Sequence, residues 1–313
     1  MAKNKKQKKQ KTIQALILFS GGLDSMLAAK ILQKQGINIT LICFTSYFFS
    51  SKQAEKSAVQ LKIPLRVIDI SDKQLTVVKN PTYGRGRAFN PCIDCHILMF
   101  KCAKTIMETE NFDLVASGEV LGQRPMSQNS KSLKLIEKES GLTKKLLRPL
   151  SAQLLEETDA EREGLVNRTE LGAIAGQSRQ PQIKLAKQFG IAPIPQPAGG
   201  CILTDKNYAQ KLARLFEINP TANGGDVKLM SAGRIFYNGR ILIVVARNQA
   251  ESEALLAAKK TGDIVAIPEN FPGPTVLIRN FNDNKPAEIN NLAKEYILRF
   301  SKKPVVNPRI LIQ

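Results

Sequence analysis

Two stretches of the chain combine residue types that can do chemistry. In "NPCIDCH", residues 90–96, the thiols of Cys92 and Cys95 stand one helical turn apart, with His96 directly behind. Such a set can hold haem, zinc or an iron–sulfur cluster, or carry sulfur in transit as a persulfide. In "LFSGGLDSM", residues 18–26, an apolar run ends at Phe19 and Ser20-Gly21-Gly22 turns directly into a helix. Glycines let backbone N–H groups approach an anion, and the helix N-terminus adds a favourable dipole. Asp24 and Ser25 fall in the first helical turn, placed for a magnesium ion and a phosphate oxygen. No Gly-Lys-Ser/Thr follows, so this is not the loop of enzymes that transfer the γ-phosphate.

The cysteine segment reads as a helix start. Asn90 suits an N-cap and Pro91 the first helical position, which puts Cys92 second. Thiolates there gain from the helix dipole, and Cys92 and Cys95 share one face. A distant thiol, Cys201, follows the rigid "PIPQPAGG", whose Gly199 and Gly200 allow a close backbone approach. Haem attachment would also require export, for which no signal is visible. Zinc would need a fourth ligand, and His96 is poorly placed beside Cys95. A cluster and a persulfide relay both stay open. Cys102, about 10 Å further along the helix, reads as a helix-face thiol, and Cys43, on an apolar strand, as core. His96 reads as structural or supporting.

These residues need a scaffold, and the hydrophobic pattern supplies one. "QALILF", "INITLICF", "LRVIDI" and "DLVAS" read as strands, separated by helices such as Lys52–Leu61 and a Leu23, Leu27, Ile31 stripe closed by Gly36. This is the α/β pattern of a doubly wound parallel sheet, whose ligands sit beyond the C-terminal strand ends. Residues 122–200 read as helices and loops. A break at "NPTANGGD", 219–226, precedes "GRIFYNGRILIVV", a hairpin with Asn238-Gly239 suited to a type I′ turn. The expected organisation is a basic tail over 1–11, a main domain over 12–218 and a smaller C-terminal α+β domain over 219–313.

The chain has 313 residues and a formal net charge of +19, of which six charges are lysines in the first eleven residues. A basic body suggests a polyanion such as RNA. The apolar run after the tail is too short for a signal peptide, and no segment reaches the length of a membrane span. A cytoplasmic protein with reduced thiols is expected, so its five cysteines favour metal or sulfur chemistry over disulfides. Arg85 and Arg87 form a basic loop that could hold phosphate. Asp69, Glu119, Arg124, Ser127 and Gln128 lie near strand ends without an assignable role.

Ser20-Gly21-Gly22-Leu23-Asp24-Ser25 resembles the SGGxDS signature of the PP-loop, or N-type, ATP pyrophosphatases. The resemblance implies the adenine nucleotide alpha hydrolase fold and attack on the α-phosphate of ATP, with magnesium present and pyrophosphate leaving. Ser20, Gly21, Gly22, Asp24 and Ser25 would then hold the pyrophosphate portion, and backbone near Phe44 and Thr45 would face adenine. Within the family, the basic charge and the cysteines resemble the branch that thiolates tRNA uridine. Cys92 and Cys201 match the two separated cysteines of tRNA-uridine 2-sulfurtransferases. With Cys95 added, they resemble the three thiolates that bind a 4Fe-4S cluster in related thiouridine synthetases. "GEVLGQRPMSQ" and "PAGGCILTD" fit the same pattern, over about residues 14–215. This branch implies Asp24, Cys92 and Cys201 in catalysis, tRNA as partner, and hydrosulfide or a persulfide carrier as sulfur donor. Two rivals are an enzyme of this fold acting on a small molecule, and an RNA-binding protein that binds ATP without turnover.

Overall fold

The computed structural model describes residues 12–197, 200–282, 286–301 and 306–313; the lysine tail and Gly199 lie outside them. The chain divides into two compact units, one reaching Gly86 and resuming over Asn90–Gly200, the other formed by Arg87–Phe89 and Cys201–Gln313. The division falls upstream of the 218/219 boundary expected from the sequence.

In the first unit, β1 (Gln14–Leu18), β2 (Asn38–Thr45), β3 (Leu65–Asp69), β4 (Leu114–Ser117) and β5 (Leu146–Leu147) form one sheet in the order β3-β2-β1-β4-β5. Every pairing in it is parallel. The helices are α1 (Leu23–Lys34), α2 (Lys52–Leu61), α3 (Ser71–Lys79), α4 (Cys92–Thr109), α5 (Ser130–Ser140), α6 (Asp159–Arg162) and α7 (Gln180–Gln188). Strand side chains alternate between two cores, as the two-residue period requires. Ala15, Ile17, Leu41 and Ala116 pack with Leu23 and Leu27 of α1, Ala58 of α2 and Ala186 of α7. Leu16, Ile42 and Val115 pack on the other face with Ile97, Phe100 and Ala103 of α4. Both faces are therefore covered, and the sheet is doubly wound. Strand order reverses between β1 and β4, the position where such sheets bind ligands.

The second unit contains α8 (Lys206–Ile218), α9 (Gly224–Leu229), β6 (Arg234–Asn238), β7 (Ile241–Val245), α10 (Gln249–Ala257), β8 (Ile264–Pro268), β9 (Val276–Asn280), α11 (Pro286–Arg299) and β10 (Ile310–Ile312). Its antiparallel sheet runs β10-β8-β9-β7-β6, completing the smaller α+β domain. The expected break at 219–226 is a loop over 219–223 between α8 and α9, and its last three residues open α9. Asn223 and Asp226 form a capping box for α9, and Asp226 is buried against Arg279 at 2.7 Å. In the β6–β7 hairpin Asn238 pairs with Ile241, so Gly239 and Arg240 make the turn. Only Gly239 has positive φ, at 56°, the form with glycine first and not type I′.

Candidate active site

The loop after β1 is wedged between two elements. Gly21 has φ +75° and lies so close to α2 that a Cβ there would sit 2.4 Å from the Gln53 carbonyl oxygen. Its own carbonyl accepts hydrogen bonds from Ser57 Oγ at 2.8 Å and Gln53 Nε2 at 3.3 Å. Gly22 takes the N-cap position of α1 in extended conformation, and Ser25 Oγ donates to its carbonyl at 2.8 Å. From the other side, Gly118 after β4 brings its backbone against the first turn of α1; a Cβ there would sit 2.5 Å from Ser25 N. Only glycine permits either approach.

Asp24 Oδ2 accepts from Gln123 Nε2 at 3.0 Å, while Oδ1 is buried with no hydrogen-bond partner among the described residues. Burial raises the carboxyl above its ordinary range, against the pull of Gln123, Arg179, Gln182 and Arg124. An orphaned buried carboxylate oxygen is costly in the protein alone and is what a hard cation would satisfy. The site therefore fits the magnesium ion that the loop implies.

β2 continues past the last partner of β1, since Phe19 N bonds to Ile42 O and Cys43, Phe44 and Thr45 lie beyond. Thr45 O turns toward β3, where it accepts from Ile70 N at 2.9 Å. By strand alternation the Phe44 backbone faces the opposite side, beyond the end of β1, while its ring is buried in the core.

The cysteine helix starts one residue later than its sequence suggests. Pro91 occupies the N-cap position, so Cys92 is the first helical residue, and no side chain caps the helix. The Asn90 side chain is diverted to sulfur: its Nδ2 donates to Cys92 Sγ at 3.1 Å. Gln74, fully buried on α3, donates from Nε2 to Cys95 Sγ. Amide donors aimed at sulfur are the surroundings in which a metal-bound or persulfidic sulfur is tuned. The preceding loop is pinned by Asp94, which accepts from the amides of Thr82 at 2.8 Å and Tyr83 at 3.1 Å. Cys43 packs in the core, where burial pushes its thiol up to about 11. Cys102 packs against the opposite core, and burial raises its thiol too.

A buried ionic network joins the two regions. His96 Nδ1 lies 2.7 Å from Glu119 Oε1, and Arg148 Nε donates to Glu119 Oε2 at 2.8 Å. Arg148 also bonds Glu137 and is 2% exposed. Burial alone would raise Glu119, but Arg148 and His96 outweigh it and hold the carboxyl at about 2. Glu119 directly follows Gly118, so the contacts run from Cys95-His96 through Glu119-Gly118 to Asp24-Ser25. Both regions thus stand at the C-terminal edge of one sheet.

Other expected residues have local jobs. Arg85 donates to the carbonyls of Val78 and Lys79 at the end of α3, and Asp69 accepts from Ser71 N at 2.7 Å. Arg124 and Gln128 close a turn after β4 that buries Ser127. Cys201, half-buried, begins a short 3-10 turn in the second unit, and Arg87 also belongs to that unit. The three thiols are thus divided between the units. No three His, Cys, Asp or Glu side chains converge as a metal site among the described residues. Sequence reasoning missed Gln74, Gln123, Arg148, Arg179 and Gln182. Of these only Arg148, in the apolar run "LLRPL", left a signal: a charge that must be paired when buried.

The sequence pattern of the family described as "Thiamine biosynthesis protein (ThiI)" matches residues 11–157. A tRNA-specific 2-thiouridylase MnmA from Syntrophotalea carbinolica is 29% identical over 50% of this chain and 52% of its own length. A probable tRNA sulfurtransferase from Moorella thermoacetica is 30% identical over 45% of this chain and 36% of its own. The chain therefore spans about half or less of the length of these curated relatives. A 4-thiouridine synthetase–RNA complex with bound ATP aligns at 20% identity, with a TM-score of 0.36, over 56% of this chain and 50% of that one. That likeness is too weak to bear on function. No helix among the described residues is long and apolar enough to cross a membrane. The match over 11–157 covers just under half of the chain, and with the Ser20–Ser25 loop in its expected place after β1 the N-terminal unit is similar to the PP-loop proteins of tRNA thiolation.

Proposed function

We propose that the protein is an ATP-dependent tRNA-uridine sulfurtransferase. The observation that carries this reading is the shared sheet edge, where a glycine loop with an orphaned Asp24 oxygen adjoins a helix presenting two amide-bonded thiols. The loop amides, Ser20 and Ser25 hold the β- and γ-phosphates, Asp24 holds magnesium, and the Phe44–Thr45 backbone meets adenine. The uridine carbonyl oxygen attacks the α-phosphate, pyrophosphate leaves, and sulfur then displaces AMP to give 2- or 4-thiouridine. The +19 charge supports tRNA as the polyanion. Cys92 and Cys201 act on sulfur. The donor set suits an iron–sulfur cluster in its chemistry, with Cys92, Cys95 and Cys201 as thiolate ligands. Such a group, once bound, would offer an open iron to hydrosulfide; a persulfide carrier is the other donor. Domain limits of 12–218 and 219–313 remain the functional proposal, with the second part as an RNA-associated accessory and a cytoplasmic setting for the whole.

The test is mass spectrometry of tRNA nucleosides from cells with and without the gene. A thiouridine that disappears with the gene and returns with the wild-type copy is expected. An unchanged nucleoside profile would favour a small-molecule substrate or a non-catalytic RNA-binding role.

A further inference from the structure

Downstream of the family match, at the first turn of α7, stand two residues that no part of the proposed chemistry uses. Gln182 is fully buried, yet neither Nε2 nor Oε1 has a hydrogen-bond partner among the described residues. A buried amide with both atoms unsatisfied is costly to the folded protein, so its retention calls for a reason. Its amide lies against the Asp24 carboxyl without closing a bond of good geometry, and Asp24 Oδ1 is itself an orphan. Arg179, one turn earlier on the same face, is half-buried and donates to the Pro195 carbonyl at 3.3 Å.

This placement is built into the fold. The segment before α7 is stitched to the loop after β4 by a bridge between Leu121 and Ala175 and by Gly176 N to Leu121 O at 2.7 Å. That loop carries Gln123, which holds the other oxygen of Asp24. Behind the first turn, Ile183 and Ala186 of α7 pack in the core shared with Leu23 and Leu27 of α1. The first turn of this nine-residue helix is thereby anchored beside the phosphate loop; Pro181 has no N–H and Gln180 N donates to Ser178 Oγ at 3.4 Å.

We propose that Gln182 and Arg179 complete a cation-and-phosphate clamp with Asp24 and Gln123, selective for the β- and γ-phosphates of a magnesium nucleotide. Gln182 Oε1 and Asp24 Oδ1 are hard oxygen donors suited to magnesium or to its bound waters. Gln182 Nε2 and the Arg179 guanidinium supply donors for phosphate oxygens. The clamp rests on the proposed ATP site and adds to it a recognition of the leaving group from a segment far along the chain. Arg179 and Gln182 are positioning residues here, acting on the phosphates that depart and not on the reacting uridine.

The experiment measures binding of magnesium pyrophosphate, magnesium ATP and AMP by calorimetry to the full chain, without RNA, for wild type, Gln182→Leu and Arg179→Ala. Each variant is expected to weaken pyrophosphate and ATP binding at least tenfold while AMP affinity changes less than twofold. Gln182→Leu should also leave the ligand-free melting temperature unchanged or raised, since leucine replaces an unsatisfied amide. If Gln182→Leu does not fold, Arg179→Ala carries the comparison. Pyrophosphate affinities within twofold of wild type would overturn the clamp and leave the proposed function intact. A wild type that binds neither pyrophosphate nor ATP would overturn both.

Discussion

The C-terminal edge of the parallel sheet carries two buried polar clusters that differ in one respect. Around Glu119 the accounts close: Arg148 meets Glu119 and Glu137, and His96 meets the remaining Glu119 oxygen. Around Asp24 they do not, because one carboxylate oxygen and a whole glutamine amide are left over. The antiparallel unit repeats the first pattern, with Arg279 bonded to Asp263 and Asp226 in its interior. A closed cluster stabilises and orients. An open cluster in the same solvent-poor setting is a place where the protein expects a ligand.

Breaking the comparison at the thiols should have the largest effect. Cys95→Ser is expected to abolish thiolation of tRNA and to strip iron and sulfide from anaerobically reconstituted protein, while ATP-dependent adenylation persists. Cys102→Ser and Cys43→Ser should stay near wild type, since both side chains pack in cores. Full thiolation by iron-free Cys95→Ser would assign the sulfur to a Cys92–Cys201 relay instead.

Asp24→Asn separates binding from stability. ATP cleavage should fall by about 10²–10³-fold, the usual scale for loss of a preorganised electrostatic group. The ligand-free protein should melt higher at neutral pH. The folded-state pKa of Asp24 is raised, so its stabilising contribution is present when protonated and lost as pH rises through that value. Removing the charge should abolish this fall. An unchanged melting temperature would mean that the orphaned carboxylate carries no strain.

Glu119→Gln tests the closed cluster and should act in the opposite sense. It leaves the buried Arg148 with one carboxylate and is expected to cost about 3 kcal/mol in chemical denaturation. Glu119 is depressed from 4.5 to about 2, so its contribution is complete above pH 4.5 and lost as pH falls toward 2. The variant should lose stability less steeply over that window. An equal slope would show that Glu119 does not govern acid unfolding.

The contrast also explains what the sequence made legible. The phosphate loop is contiguous, and so are the alternating strands and the Cys92–Cys95 turn, so residue order alone locates them. β5 escaped because Leu146-Leu147 is too short for any period to register. The cap at Asn90 was misread because its amide has a better use on Cys92 sulfur than on a backbone N–H. The break is present over 219–223, but the start of α9 at Gly224 was hidden at its end because Asp226 looks like a loop residue until Arg279 is folded against it. Gln123 and Gln182 became site candidates only through tertiary approach to Asp24.

The central claim is that this loop directs cleavage at the α-phosphate for sulfur transfer to tRNA. Incubation with ATP labelled separately at the α- and γ-positions, sulfide and unmodified tRNA measures it most directly. Label should appear in AMP and pyrophosphate, in step with thiouridine. ADP and free phosphate as the main products, or cleavage indifferent to tRNA, would contradict the account.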